Sequence, residues 1–560
     1  MKRSTITITL AAALCAAGIS SKAQTTLTHS WMTRIDGSSQ RTDMVRDMYT
    51  DRWGNSILTG NSNDSTAGST LTPLVLTTRI ATDGSVKWKD KRFAQNGFQL
   101  FAGKTVKAKD GNVLIAFNER KDDAMQNRIL LRKVKHTDGS LIWERTLTDT
   151  TNNIVEEISD LITDTAGNIY ICAGTTNFSA PSFNTDYVVM KVMENGDTAW
   201  RRTYNNAAYN SDDYAADLAI DRDLNVLVTG RSRGIIGGVP TGFDITTVKY
   251  SSAGAELWVH RHNGTGYGND IGMMIITDND NNAYISGQTD ALSLSTDSVT
   301  VIKLAPTGTV VWQYNYLGSN TGTLFKQPIS LTPSGNIALA CGTSEGMTTI
   351  LLNNMGVRLW KKSFMRDNQI AMPFHMITDT AGNIIVTGRT HLSAPTLDDV
   401  TTLGYDESGA LIWNAFFNGT SSGSMDFGRH VGIDGGNNIY IGAWSTFDDN
   451  NNDFTLLKYG TNPVPVDTTP TLYTPITSRS HSVHLYPNPT DNMLHVVSQG
   501  SAFTSFRITN VAGRVYIAET LTPGNQQFEV SVADLAPGLY ILEATEETGL
   551  RTSTRFIRKQ

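Results

Sequence analysis

Cysteine is nearly absent, with three in 560 residues, and Cys15 lies in the N-terminal apolar run. A disulfide framework is therefore excluded, and a chain of this size must be held by its core. Charged residues are also sparse, at 18% against the usual ~25%. Basic residues are outnumbered, 46 against 53 acids, for a net charge of -7. That balance lacks the basic footprint of a nucleic-acid binder and excludes adhesion to anionic lipid by charge alone. Past the N-terminus no stretch approaches 18 apolar residues, so no transmembrane segment is predicted. His-Glu-x-x-His is missing, and no two of the ten histidines stand at metal-ligand spacing.

What is present begins with a signal peptide. Lys2-Arg3 precede a short apolar run from Ile6 to Ile19, and Ser21-Lys22-Ala23 puts small residues where a signal peptidase cuts. Cleavage is expected before Gln24, leaving a mature chain with a net charge of -10 once Lys2, Arg3 and Lys22 are lost. Leu14 before Cys15 is too large for a lipoprotein signal, so that alternative is rejected.

Glycine is frequent (48 residues), and the remainder is organised by repetition. Tryptophan recurs at Trp88, Trp143, Trp200, Trp258, Trp312, Trp360 and Trp413, at intervals of 48 to 58 residues. Between these stands Asp-x-x-Gly-Asn, as in Asp51 to Asn55, Asp164 to Asn168 and Asp379 to Asn383. Variants at Asp110-Gly111-Asn112, Asp221 to Asn225, Asp278 to Asn282, Thr332 to Asn336 and Asp434 to Asn438 bring the turns to eight. Alternating apolar strands separate these turns, as in Asp186 to Val192 and Asp244 to Tyr250. Four short strands per repeat, arranged radially, form a propeller blade.

Eight turns face only seven downstream tryptophans. Trp31, 57 residues before Trp88, supplies the eighth, so the N-terminal strand is expected to complete the last blade. The fold class is all-β: an eight-bladed β-propeller over 24–460, a Pro/Thr-rich linker over 461–482, and a small β-sandwich over 483–560. Cys172 and Cys341 then lie three blades apart, too far to pair.

The repeat resembles bacterial β-propeller repeats of exported proteins, a family that implies no single activity. Its Gly-x-x-x-Trp element is similar to the tryptophan-docking motif of quinoprotein-type propellers. A quinoprotein dehydrogenase is disfavoured, because the adjacent cysteine pair of many such enzymes is missing. The C-terminal segment resembles the type A sorting domain of the type IX secretion system of Bacteroidetes. The matching residues are Leu485 to Thr490, Asn510-Val511-Ala512-Gly513-Arg514, Leu535 to Tyr540 and the basic tail Arg555 to Lys559. This resemblance implies the type IX machinery as a partner, passage across both membranes, and a secreted or surface-attached product.

Gly342 to Gly346 and Gly419 to Gly423 match Gly-x-Ser-x-Gly, but both align with blade turns and no helix follows. Asp278 to Asn282 and Asp448 to Asp453 resemble calcium-loop starts. The first has Ala283 where the loop needs Gly and Thr289 where it needs Glu, so hairpin turns are expected. His260 and His262 share a strand face, as on a solvated blade strand. Asp64-Ser65-Thr66 and Asp467-Thr468-Thr469 fit a short O-glycosylation pattern. No residue is assigned as catalytic or cofactor-binding, metal ligands stay unassigned, and calcium is the cation the turns would take. The expected function is a non-enzymatic module binding a protein or glycan through loops such as Asn177–Thr185 and Arg231–Gly242. The alternative is a polysaccharide hydrolase or lyase with carboxylates at the channel.

Overall fold

In the computed structural model, residues 25–27, 29–35, 43–65, 71–94, 97–121, 126–148, 154–177, 184–206, 210–236, 239–264, 268–290, 297–319, 327–369, 371–392, 398–419, 424–447, 452–460, 483–498, 502–510, 515–522, 524–547 and 551–559 are described. The expected signal peptide and Pro/Thr-rich linker lie outside them. The chain divides into two compact units, Met1–Thr468 and Thr469–Gln560.

In the first unit, consecutive strands pair antiparallel in sets of four. Sets 1 to 7 span 44–93, 99–146, 154–204, 213–262, 271–319, 329–364 and 371–417. Set 8 has three strands from 427–459 and takes its fourth from the N-terminus. His29–Ile35 pairs antiparallel with Asn452–Tyr459, placing Trp31 opposite Lys458. Thr25–Thr26 pairs parallel with the last strand of set 7 at Trp413 and Asn414. Sets 2 and 3 also share one parallel pairing, Val155 with Asn127.

The repeated residues explain the pairing. In each Asp-x-x-Gly-Asn turn the Asp carboxylate accepts from the Asn amides four residues on. At Asp434 these bonds are 2.9 Å to Asn438 N and 2.8 Å to its Nδ2. Six of the repeated tryptophans bond to the next set. The indole Nε1 donates to a turn carbonyl there: Trp88 to His136, Trp200 to Ser252, Trp258 to Pro306, Trp312 to Asn354 and Trp360 to Glu407, at 2.9–3.1 Å. Trp31 makes the same bond to Thr82 of set 1 at 3.1 Å. This gives the indole N–H its acceptor while its rings pack in the seam between sheets.

Apolar side chains lie between sheets rather than in one central core. Eight clusters each join consecutive sets. One brings Ile35, Tyr440, Phe454 and Leu456 of set 8 against Val45, Leu58 and Leu76 of set 1. Another joins sets 7 and 8 through Val400, Trp413, Val431 and Leu457, with Leu27 added. The first strands also touch one another in turn, that of set 8 meeting that of set 1. Cys172 and Cys341 are buried free thiols in separate clusters.

The second unit packs a three-stranded sheet and a four-stranded sheet around Leu494, Phe503, Phe506, Leu542 and Phe556. Its Asn488 clamps the final strand Arg551–Arg558, donating to Arg555 O at 3.0 Å and accepting from Ile557 N at 3.0 Å. Thr490 N adds a bond to Ile557 O at 2.9 Å. Among the described residues no helix is long and apolar enough to cross a membrane.

Candidate functional site

The first strands share a backbone irregularity. Seven of them hold a register shift at the same place, which leaves one extra residue: Arg46, Gly103, Ser159, Ala216, Met273, Phe374 or Arg429. Such a bulge re-aims the side chains around it. The residue that follows is Asp47, Lys104, Asp160, Asp217, Met274, His375 or His430.

These following residues form a belt from set to set. Asp47 accepts from Thr105 N at 2.7 Å, Asp160 from Leu218 N at 3.3 Å, and Asp217 from Ile275 N at 2.8 Å. His375 Nδ1 lies 3.4 Å from Val431 N, and His430 Nε2 donates to Arg46 O at 2.8 Å. Lys104 pairs with Asp160 at 2.9 Å. Burial alone would lower the Lys104 pKa, but the carboxylates of Asp160, Asp47 and Asp217 outweigh it and hold the amine protonated. These carboxylates are engaged in joining neighbouring sheets.

Toward the start of the same strands lies a layer of buried acids. Asp213 accepts from Asn206 N at 2.9 Å, Asp270 from Gly264 N at 2.6 Å, and Asp426 from Gly419 N at 2.8 Å. Each carboxylate thereby fixes the segment arriving from the preceding set. Burial pushes the Asp426 pKa up to about 6, against donors at Gly419, Ser424 and Ser445 that pull it down. Its side chain is fully buried, which withholds it from any substrate.

Half-buried aromatic rings and arginines stack beside this layer. Arg120 lies 4.9 Å from the Phe101 ring centre, and Arg231 lies 4.7 and 4.9 Å from Tyr214 and Phe243. Arg429 lies 5.0 Å from Phe374, and Arg389 lies 4.6 Å from Phe427, which stacks on Trp444 at 4.3 Å. A cleft of about 230 Å³ opens between sets 3 and 4, lined among others by Glu157, Ser159, Thr185 and Tyr214.

The motifs read from the sequence do not converge here. Ser344 sits in the tight hairpin between Ile337–Thr343 and Gly346–Leu352, with no helix following. Asp278 uses both carboxylate oxygens on its own turn and on the Tyr284 hydroxyl, at 2.8–2.9 Å. Residues 420–423 and 448–451 lie outside the described set; Asp453 pairs with Arg34. Burial lowers the pKa of both His260 and His262. Among the described residues no group of three or more His, Cys, Asp or Glu is placed to hold a metal.

One expected loop is corrected. Arg231–Gly242 is not an irregular insertion, because Val226–Ile236 and Val239–Tyr250 extend as a hairpin, with Ile235 opposite Pro240 and Ile236 opposite Val239. Its glycines hid the strand pattern. Of Asn177–Thr185, residues 178–183 lie outside the described set, and Thr185 borders the cleft. The sequence reading missed the bulge arginines, since nothing in their types repeats. The acids Asp43, Asp213, Asp270 and Asp426, by contrast, recur near blade spacing.

Comparison with known proteins bears on both units. Residues 484–559 match the family described as secretion system C-terminal sorting domain, and residues 75–236 match outer membrane protein assembly factor BamB. No curated protein matches the chain. Similar solved structures include a protein of unknown function from Bacteroides caccae, 13% identical, covering 52% of this chain and 95% of that one, with a TM-score of 0.30. PorZ, a surface component of the type-IX secretion system of Porphyromonas gingivalis, is 9% identical over 92% of this chain and 81% of its own, with a TM-score of 0.30. The β-propeller domain of the Trilobed protease from Pyrococcus furiosus is 10% identical over 64% and 93%, with a TM-score of 0.38. At these scores the likenesses say nothing of activity. The chain thus carries β-propeller repeats followed by a type IX secretion C-terminal sorting domain, and is a secreted or cell-surface protein.

Proposed function

We propose that the eight sets are the blades of a closed eight-bladed propeller, and that the exported protein is a non-enzymatic module binding a glycan or protein at the first-strand rim. One observation carries this reading. The ionisable belt of Asp47, Lys104, Asp160 and Asp217 is engaged in blade-to-blade bonds, whereas half-buried aromatic rings stacked with arginine stand along the rim. Such rings present apolar faces beside donors, the combination that small polar ligands are held by. The signal peptide over 1–23, the linker over 461–482 and the sorting domain over 483–560 complete this reading. The machinery engaged by the sorting domain is the second partner.

The test is a screen of the full chain against glycans and surface proteins, with cleavage followed in the same wells. Saturable capture without product is expected. Product formation would return the function to the hydrolase or lyase reading.

A further inference from the structure

We infer that the seam between sets 7 and 8 is a second binding site, and that its ligand is a tight reverse turn of a partner protein. The site adjoins Asp379, just past the end of the first strand Ala371–Thr378, whereas the rim lies at the starts of these strands. It therefore stands independently of the binding reading above.

Seven seams share one seat, in which a glycine of the next set's last hairpin turn covers the tryptophan. From Trp31 beneath Gly84 to Trp360 beneath Gly409, a Cβ added at the glycine would fall 2.6–3.2 Å from the indole. These glycines hold the positive φ that a tight turn needs.

Trp413 has no such turn. Set 8 takes its fourth strand from the N-terminus, so no hairpin joins Asn452–Tyr459 to His29–Ile35. A cleft of about 240 Å³ lies there instead, lined among others by Trp413, Leu27, Ile385, Ile433 and Asp379. The cross-strand partner of Trp413 is Gly404, where a Cβ would fall 2.2 Å from the ring, so the indole rests on its own sheet.

Two polar groups at this seam lack the partners their counterparts have. Among the described residues the Trp413 indole N–H reaches no acceptor, whereas six other indoles bond to a turn carbonyl. Trp143 also lacks that bond, but Gly196 still covers it. Asp164, Asp278 and Asp434 accept from the hydroxyls of Tyr170, Tyr284 and Tyr440 at 2.9–3.1 Å. Ile385 stands at that place in set 7, so among the described residues Asp379 Oδ2 accepts from Asn383 Nδ2 alone, at 2.7 Å.

The seat thus combines apolar walls with an indole donor and a carboxylate that can accept a further bond. A reverse turn matches all three. Its carbonyl takes the indole N–H, its glycine lies against the ring, and an N–H or hydroxyl meets Asp379. The fold itself seats such turns on the equivalent indole seven times.

The experiment titrates the full chain with a disulfide-closed hairpin peptide carrying Ala81–Ser85, the turn seated over Trp31, and reads binding by saturation-transfer NMR. A second peptide carries Gly84→Ala. Trp413→Phe keeps a ring and removes the donor, and Ile385→Tyr fills the cleft with the residue that sets 3, 5 and 8 carry. Saturable binding of one peptide per chain is expected. Either chain variant is expected to weaken it tenfold or more, as is Gly84→Ala in the peptide. The melting temperature of Ile385→Tyr is expected to match wild type, so lost binding is not lost folding. Should that variant melt early, Trp413→Phe carries the same decision. No binding by wild type, or equal binding by the chain variants, would overturn the site. Equal binding of the Gly84→Ala peptide would overturn the reverse turn as its ligand. Either failure leaves the rim reading standing, since Trp413 and Ile385 are not part of the rim.

Discussion

Trp312 lies directly over Gly356 of the following set. A Cβ added at Gly356 would fall 2.6 Å from the indole Cδ2, and the indole Nε1 donates to Asn354 O at 2.9 Å. Gly356 also has φ +79°. The glycine is therefore required twice, once for its backbone conformation and once for the ring above it.

Gly111 separates these two requirements. Its φ is +84°, but an added Cβ there meets nothing within 4 Å. Gly111→Ala is expected to destabilise by about 1–2 kcal/mol, the cost of the left-handed conformation. Gly356→Ala should add an overpacking term of about 1–3 kcal/mol. Denaturant unfolding of both variants checks this; equal losses would show that the tryptophan does not press on the turn.

The pairing of the N-terminal strand with set 8 predicts a long-range effect. Ile35 is buried in the cluster that joins sets 8 and 1. Ile35→Ala is expected to cost about 2–5 kcal/mol. Amide exchange should then rise in Asn452–Tyr459, its pairing partner 419 residues away, before it rises in set 4.

The belt is testable as structure. Lys104→Met leaves Asp160 without its cation and is expected to destabilise by about 3–5 kcal/mol. Adding Asp160→Leu should restore much of that loss. Thermal unfolding of the two single variants and the double variant measures the coupling; a double variant as unstable as the sum of the singles would contradict it.

The buried acids set a pH dependence. Burial raises Asp426 and Asp186 to about 6, above the ordinary carboxylate value. An acid with a raised folded pKa favours the fold in its protonated form. Its contribution is full below about pH 4 and is lost as pH rises toward 6. Asp426→Asn should flatten that part of the stability curve, measured as denaturation midpoint between pH 4 and 7. An unchanged slope would contradict the assignment.

The scaffold was legible because physics repeats it. Asp434 and Asn438, or Trp88 and His136 O, serve one turn or one seam, and the same need recurs from set to set. The Trp31 strand could be found by counting, since a repeat was missing at one end and a lone motif stood at the other. The rim was not legible. Arg46, Phe374 and Arg429 occupy one structural position with different residue types, so no pattern marks them. Their neighbours stand 55 to 384 residues away, as Phe374 does from Arg429 and Arg46 from His430. The hairpin over Arg231–Gly242 was misread for a local reason: Gly234, Gly237 and Gly238 break an alternation that cross-strand pairing maintains.

The most direct measurement of the central claim is titration calorimetry of the full chain with the best glycan or surface protein from the screen. The recovered ligand is then weighed by mass spectrometry. Saturable binding with the ligand returned intact is predicted. Ligand returned in shortened form would contradict a binding module and place catalysis on this propeller.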